Sequence, residues 1–282
     1  MDQGSVFLQR EVAPLLFFLL CRSRQRRNGV FMLGLERRQK IMEKLRIERK
    51  VYVADLAQTF QVTEETIRRD LEKLEGQDLL WRRYGGAVIN ESTSDDLSYK
   101  RRSTINSESK IAIAEHAAHL LHDGDTIMMD SSTTCQALLQ RLKGKCDMTV
   151  ITNSIRLMSD FLGSGFQMIC TGGVMRESSC ALTGTIACQT LSQYLVDFAF
   201  ISCKSIDRDH GIMESNESES RIKSVMMQRA RKIVLLADHS KFDKTAFIKC
   251  SDVTNIDTLV TDQAPSAEWQ TYLANAHIDL IF

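Results

Sequence analysis

The chain has 282 residues, with 36 basic and 36 acidic side chains that cancel to no net formal charge. That balance at first sight argues against a nucleic-acid partner, while the length leaves room for one small and one mid-sized domain. Eight cysteines lie scattered with no C-x-x-C pair, which argues against a disulfide framework and fits a reduced compartment. The charge is uneven along the chain: residues 1–31 carry 5 basic and 2 acidic side chains, residues 32–90 carry 12 and 10, and residues 91–282 carry 19 and 24. The basic excess therefore lies towards the N-terminus, and affinity for DNA would depend on where the arginines point.

Residues 1–31 are the odd part. Val12 to Cys21 is apolar and is followed by Arg22, Arg24, Arg26 and Arg27. Ten residues are too few to span a bilayer, and the charge follows the apolar run instead of preceding it as in a signal peptide. A membrane-surface anchor is one reading. The other is a mis-annotated upstream extension, with Met32 as the initiator.

From Leu35 to about Arg49 the apolar spacing predicts a helix, with Leu35, Ile41, Met42 and Leu45 on its inward face. Val51-Tyr52-Val53 is a short strand candidate. Val53, Leu56, Ala57 and Phe60 then fall at helical spacing, Gln61 and Val62 make a turn, and Thr63 is placed to cap a second helix that runs to about Glu75. Ile67, Leu71 and Leu74 form the inward side of that helix. Glu65, Thr66, Arg68 and Arg69 are left for a major groove. Leu79 to Tyr84, Gly85-Gly86 and Ala87 to Ile89 read as a hairpin, with Arg82 and Arg83 set near a DNA backbone. Helix, turn, arginine-bearing helix and basic hairpin in this order predict a winged helix-turn-helix over residues 32–90, with Thr63, Glu65, Thr66, Arg68, Arg69, Arg82 and Arg83 at the DNA.

The stretches Arg37-Arg38-Gln39-Lys40-Ile41, Thr66-Ile67-Arg68-Arg69-Asp70-Leu71 and Arg82-Arg83-Tyr84-Gly85-Gly86-Ala87 resemble the N-terminal domain of DeoR-type bacterial transcription regulators. The resemblance continues through Asp130 to Thr134, Thr152-Asn153-Ser154, Thr171-Gly172-Gly173 and Ala237 to Phe242. It implies a cytoplasmic regulator of sugar catabolism, usually a repressor, that acts as a homodimer or homotetramer. It further implies a C-terminal domain that binds a phosphorylated sugar and resembles sugar-phosphate isomerase and CoA-transferase folds.

Residues 91–107 are polar and read as a linker, although Arg101 or Arg102 folding back on the next domain is the alternative the resemblance suggests. From residue 108 to 282, helices alternate with short apolar strands. The strands are expected near Thr126–Met129, Met148–Ile151, Phe166–Cys170, Asp197–Ser202, Ile233–Ala237, Thr258–Val260 and Ile278–Phe282. This is the pattern of an α/β domain with a mostly parallel sheet covered on both faces, whose ligands bind beyond the carboxyl ends of strands.

Three loops qualify. Asp130, Ser131, Ser132, Thr133 and Thr134 follow a strand and open a helix, so hydroxyls and first-turn N–H groups could hold a phosphate, or merely cap the helix. Asn153 and Ser154 stand in a similar place, and Gly172 and Gly173 allow close backbone approach. Glu219 and Lys223 share a helix face either as a surface ion pair or, as the resemblance implies, as pocket residues for sugar hydroxyls and phosphate. Asp238 and Lys241 could serve binding or loop structure. Ser202-Cys203-Lys204 replaces the family's glycine-rich pattern, which places Lys204 at the pocket rim. The change resembles the branch that regulates deoxy-sugar use.

His116, His119 and His122 are spaced by three and do not match a zinc pair at i, i+4, so no metal is expected. No G-x-G-x-x-G follows a strand, which argues against a nicotinamide cofactor, and no cofactor is expected. A sugar-phosphate isomerase-like enzyme with an attached DNA-binding domain stays as the alternative, with Asp130, Glu219 and Lys223 as proton carriers. An enzyme leaves the winged helix unexplained, so no catalytic residue is assigned.

Overall fold

The computed structural model describes residues 33–76, 80–89 and 97–282, so the readings for residues 1–31 and for the first part of the linker lie outside the described residues. The chain falls into two compact units that divide between Ile89 and Asn90.

In the first unit, helix α1 (Gly34–Glu48) is followed by strand β1 (Lys50–Tyr52), α2 (Val53–Phe60) and α3 (Glu64–Glu75), then by the hairpin β2 (Leu80–Arg83) and β3 (Gly86–Ile89). Ile41, Leu45, Leu56, Ile67, Leu71 and Leu80 form its core and are almost closed to solvent. The turn between α2 and α3 is tight because Gln61 takes a left-handed φ of 52° and ends α2, while the Thr63 hydroxyl accepts from the Thr66 N–H at 3.3 Å to start α3. Val53 begins α2 instead of extending β1, so the short strand spans Lys50–Tyr52, shifted by one residue from the expected Val51–Val53. The three strands pair antiparallel in the order β1-β3-β2. Gly86 makes this possible: a Cβ there would sit 2.0 Å from the Val51 carbonyl oxygen, so only glycine lets β3 approach β1.

The second unit is a seven-stranded parallel sheet. Its strands are β4 (Thr126–Met129), β5 (Thr149–Thr152), β6 (Gln167–Cys170), β9 (Val196–Ser202), β12 (Ala230–Leu236), β14 (Thr258–Val260) and β15 (Asp279–Ile281). They lie in the order β15-β14-β12-β9-β4-β5-β6, with every neighbouring pair parallel. Successive residues point to opposite faces and both faces are buried. Ile127, Met129, Phe200, Val234 and Leu236 pack into one apolar layer, and Met128, Ala199, Ile201, Leu235 and Leu259 into the other. Five strands lie outside this sheet. The hairpin β7 (Val174–Arg176) and β8 (Ala181–Thr183) stands apart, and β10 (Ser205–Asp207), β11 (Gly211–Glu214) and β13 (Ile248–Ser251) make a small antiparallel sheet.

The chain starts the large sheet at β4, builds outward through β5 and β6, then crosses back to lay β9 on the other side of β4. The loops after β4 and β9 therefore leave in opposite directions and open a crevice at a topological switch point.

The expected linker is shorter than its composition implied. Tyr99–Thr104 is helical (α4), and Ser107–Ala118 (α5) follows directly. The reason is Tyr99, a buried ring in a polar stretch, whose hydroxyl donates to Gln136 Oε1. Helix α5 also stops at Ala118, short of His122.

Candidate functional sites

The crevice between β4 and β9 opens into a cavity lined by residues of both loops. Asp130 builds its floor. Its Oδ1 accepts from the Ser132 N–H at 2.9 Å and its Oδ2 from the Ser202 N–H at 2.9 Å, so one carboxylate ties the β4 loop to the β9 loop. Burial alone would raise the Asp130 pKa, but the Lys223 ammonium at 3.1 Å and these N–H donors hold it below the ordinary carboxylate range. Lys223 also donates to Glu214 and, at 2.6 Å, to the Ser202 carbonyl. Burial opposes its charge, yet Asp130, Glu214 and Glu219 outweigh burial and keep the ammonium protonated well above its usual range. Glu214, fully enclosed, is pushed up instead.

Above this floor the loop opens helix α6 (Thr133–Arg141). The Ser132 hydroxyl accepts from the Cys135 N–H at 3.1 Å as the cap. The N–H groups of Thr133 and Thr134 belong to the first turn, where a helix has no acceptor of its own and its dipole end is positive. Arg102, Lys110, Lys204 and Lys241 line the same cavity as these residues. The Lys110 ammonium is buried, donates to the carbonyls of Arg102 and Ile105, and is pushed down to about 8 by burial and by the Lys241 and Arg102 charges, against the pull of Asp238. Glu214, Glu219, Ser215 and Asp238 supply acceptors elsewhere on the lining. Cations and first-turn N–H groups with carboxylates and hydroxyls beside them can take an anionic group attached to a polyol.

In the first unit, α3 presents Glu64, Glu65, Arg68 and Arg69 to solvent, with Thr66 half-buried. Without DNA the arginines are paired along the helix: Arg68 with Glu64 at 2.7 Å and Arg69 with Glu65 at 3.3 Å. In the hairpin, Arg82 reaches Glu75 at 2.6 Å, and Arg83 lies over the Trp81 ring at 5.4 Å. Tyr84, at the hairpin tip, is fully exposed.

The DeoR-like helix-turn-helix domain matches residues 37–93, and the DeoR C-terminal sensor domain matches residues 105–263. The chain belongs to the DeoR family. It is a DNA-binding transcriptional regulator with a sensor domain. Among similar proteins, the HTH-type transcriptional repressor GlcR of Bacillus subtilis is 36% identical over 87% of this chain and 95% of its own length. An uncharacterised HTH-type regulator of the same organism, YulB, is 37% identical over 82% and 90%. The L-fucose operon activator of Haemophilus influenzae is 35% identical over 79% and 90%.

Within this DeoR-family chain, the cavity gathers Ser131, Ser132, Thr133, Thr134, Lys204, Glu219 and Lys223, with Asp130 beneath them. Asn153, Ser154, Gly172 and Gly173 do not line it. They follow β5 and β6, away from the switch point, and the β7–β8 hairpin occupies them. The Asn153 amide donates to the Leu182 carbonyl at 3.0 Å, and the Ser154 hydroxyl caps the Leu157 N–H at 3.2 Å. A Cβ on Gly173 would sit 2.5 Å from the Thr183 carbonyl oxygen, so that glycine serves hairpin packing. Glu219 and Lys223 are both buried, which rules out a surface pair, and Glu219 meets Arg176 at 3.5 Å.

Lys110 and Glu214 went unread in the sequence, though each left a signal. Lys110 falls on the same helical face as Ile113, Ala114 and Ala117, and Glu214 ends an apolar strand. Among the described residues no group of three or more His, Cys, Asp or Glu side chains is placed to hold a metal, and no helix is long and apolar enough to cross a membrane.

Proposed function

We propose that this regulator is a repressor of a sugar-catabolic operon, released from a duplex operator when a phosphorylated sugar enters the cavity at the β4/β9 switch point. The observation that carries the reading is the meeting of Arg102, Lys110 and Lys241 with the N-terminal turn of α6 in one cavity that also holds carboxylate acceptors. Phosphate suits the cationic end and sugar hydroxyls suit Glu214, Glu219 and Asp238. In this reading Ser131 to Thr134, Lys204 and Glu219 touch the effector, whereas Asp130 and Lys223 hold the loops. Glu65, Thr66, Arg68 and Arg69 read the groove, with Thr63 as cap, and Arg82 and Arg83 meet the backbone. The protein works in the cytoplasm as a homodimer or homotetramer, because an HTH dimer matches two half-sites and a single domain with so small a basic excess neutralises few phosphates.

Repression is the sign we infer, as the GlcR relative is named a repressor. The L-fucose operon relative is named an activator, so a reporter fused to the regulated promoter decides: deletion of the gene should raise expression. The isomerase-like alternative rests on Asp130, Glu219 and Lys223, but Lys223 is held between the Asp130 and Glu214 carboxylates and is poorly suited to exchange protons with a substrate. The direct experiment is a screen of phosphorylated sugars for thermal stabilisation. An effector at one hundred times its dissociation constant adds about 2.7 kcal/mol. No stabilisation by any sugar phosphate, or conversion of one at a catalytic rate, would contradict the reading.

A further inference from the structure

One wall of the cavity is built by the segment that joins the sensor domain to the DNA-binding domain. Leu97, Arg102 and Ile105 line it. Several contacts pin this segment to the sensor fold: the Tyr99 hydroxyl on Gln136, the Thr133 hydroxyl on the Arg102 carbonyl at 3.4 Å, and the Lys110 ammonium on the carbonyls of Arg102 and Ile105. At its far end the Asn106 amide donates to Asp238 Oδ1 at 3.0 Å and to Ser240 Oγ at 3.1 Å. One group in the wall is unsatisfied. Arg102 Nη2 is shut off from solvent and has no acceptor among the described residues, in a cavity that Lys110 and Lys241 also line. A buried guanidinium N–H without an acceptor is costly, and an anion in the cavity would supply one.

We propose that the effector's anionic group completes this wall by pairing with Arg102, and that the segment Leu97–Asn106 thereby carries effector occupancy to the DNA-binding domain. The inference rests on the reading of the cavity as an anion site and adds the route out of it. The route is short in sequence. Only Asn90 to Asp96 separate Ile89, the last residue of the wing strand β3, from Leu97. The eight residue-to-residue steps from Ile89 to Leu97 reach at most about 29 Å, at roughly 3.3–3.6 Å each. A wall segment that tightens or shifts therefore restricts where the wing can lie. That gives the two sites the differential contact that linkage demands, because an effector changes operator affinity only through a different affinity for the two states.

The test uses the full chain with inorganic phosphate as the first probe. Amide hydrogen exchange, read by mass spectrometry, should slow several-fold across residues 97–110 when phosphate stabilises the protein against heat. The slowing should vanish in Arg102→Gln. The second variant inserts eight Gly/Ser residues between Ser94 and Asp95. It should bind a duplex selected from random DNA as wild type does, and should bind the sugar phosphate that gives the largest thermal shift equally well. In wild type that sugar phosphate should change duplex affinity at least tenfold, and in the insertion variant by less than twofold. Phosphate binding with unchanged exchange across 97–110, or an insertion variant that responds like wild type, overturns the proposed route and leaves the anion site standing. Failure of phosphate and of every sugar phosphate to bind overturns both.

Discussion

The Arg37 guanidinium Nε lies 2.6 Å from Asp70 Oδ2, and both side chains are nearly closed to solvent. Arg38 takes the other oxygen at 3.1 Å. Asp70 sits on the inward side of α3 beside Ile67, Leu71 and Leu74, so this pair fixes the arginine-bearing helix against α1. Asp70→Ala takes away the carboxylate that Arg37 and Arg38 share, and breaking one side of a buried pair costs about 3–5 kcal/mol. Calorimetry of the full chain should show the transition of the DNA-binding domain falling while that of the sensor domain stays put. An unmoved transition would mean that the pair contributes nothing.

Arg69 makes the opposite case. It pairs with Glu65 in an exposed i, i+4 pair, which is worth about 0.2–0.5 kcal/mol at most. Arg69→Ala should therefore leave the melting temperature alone and weaken binding to the selected duplex by about 1–3 kcal/mol, with relaxed choice at one base position. Unchanged selectivity in the folded variant would remove Arg69 from the reading surface.

The wing arginines separate in a way their adjacency hides. Arg83→Ala should weaken all duplexes alike and lower the slope of log affinity against log salt by about one. Arg82 also donates its backbone N–H to Glu75 Oε1 at 3.0 Å and its side-chain Nε to Glu75 Oε2 at 2.6 Å, which holds Glu75 below its ordinary pKa. Arg82→Ala should loosen the hairpin as well as lose the phosphate contact. Equal losses of stability in the two variants would contradict this division.

Local pattern made the helix-turn-helix and the strands Thr126–Met129 and Thr258–Val260 readable, since apolar period and turn chemistry there agree with the tertiary structure. The Ser131–Thr134 loop was readable because strand, polar cluster and helix follow each other directly. Asn153 and Gly173 resembled ligand residues for the same local reasons, but their polar and backbone groups serve a hairpin whose strands are three residues long and too short for a periodic signal. Glu214 and Lys110 reach the cavity only through strand order, which no local window contains. Tyr99 is one aromatic in a charged stretch, and its burial depends on Gln136, far along the chain.

Lys223 and Lys241 both line the cavity, yet only one can be altered cleanly. Lys223→Met leaves Asp130 and Glu214 buried and unpaired, so a loss of about 3–5 kcal/mol in stability should mask any effect on the ligand. Lys241 is half-buried and makes no ion pair among the described residues. Lys241→Met, and Thr133→Ala with Thr134→Ala, should fold normally, keep operator affinity and bind sugar phosphate at least tenfold more weakly. In cells such variants should repress without relief. A variant that responds to sugar as wild type does would remove its residue from the phosphate site.

Lys110 sets the pH dependence. Burial, then the Lys241 and Arg102 charges, push its pKa down to about 8, while Asp238 opposes them. Between about pH 8 and the unfolded value the unfolded chain binds a proton that the folded chain does not, so this group makes stability rise with pH there. Below pH 8 both states are protonated and the cost of the buried charge is fully present. Binding runs the other way. A phosphate monoester, whose second ionisation near about 6 is already complete, favours the ammonium form and raises the Lys110 pKa, so binding near pH 8.5 should take up a proton and weaken as the pH climbs further. Calorimetric titration in two buffers of different ionisation enthalpy measures that uptake, and Lys110→Met should abolish it. A binding enthalpy independent of buffer in the wild-type protein would show that Lys110 does not face the effector's charge.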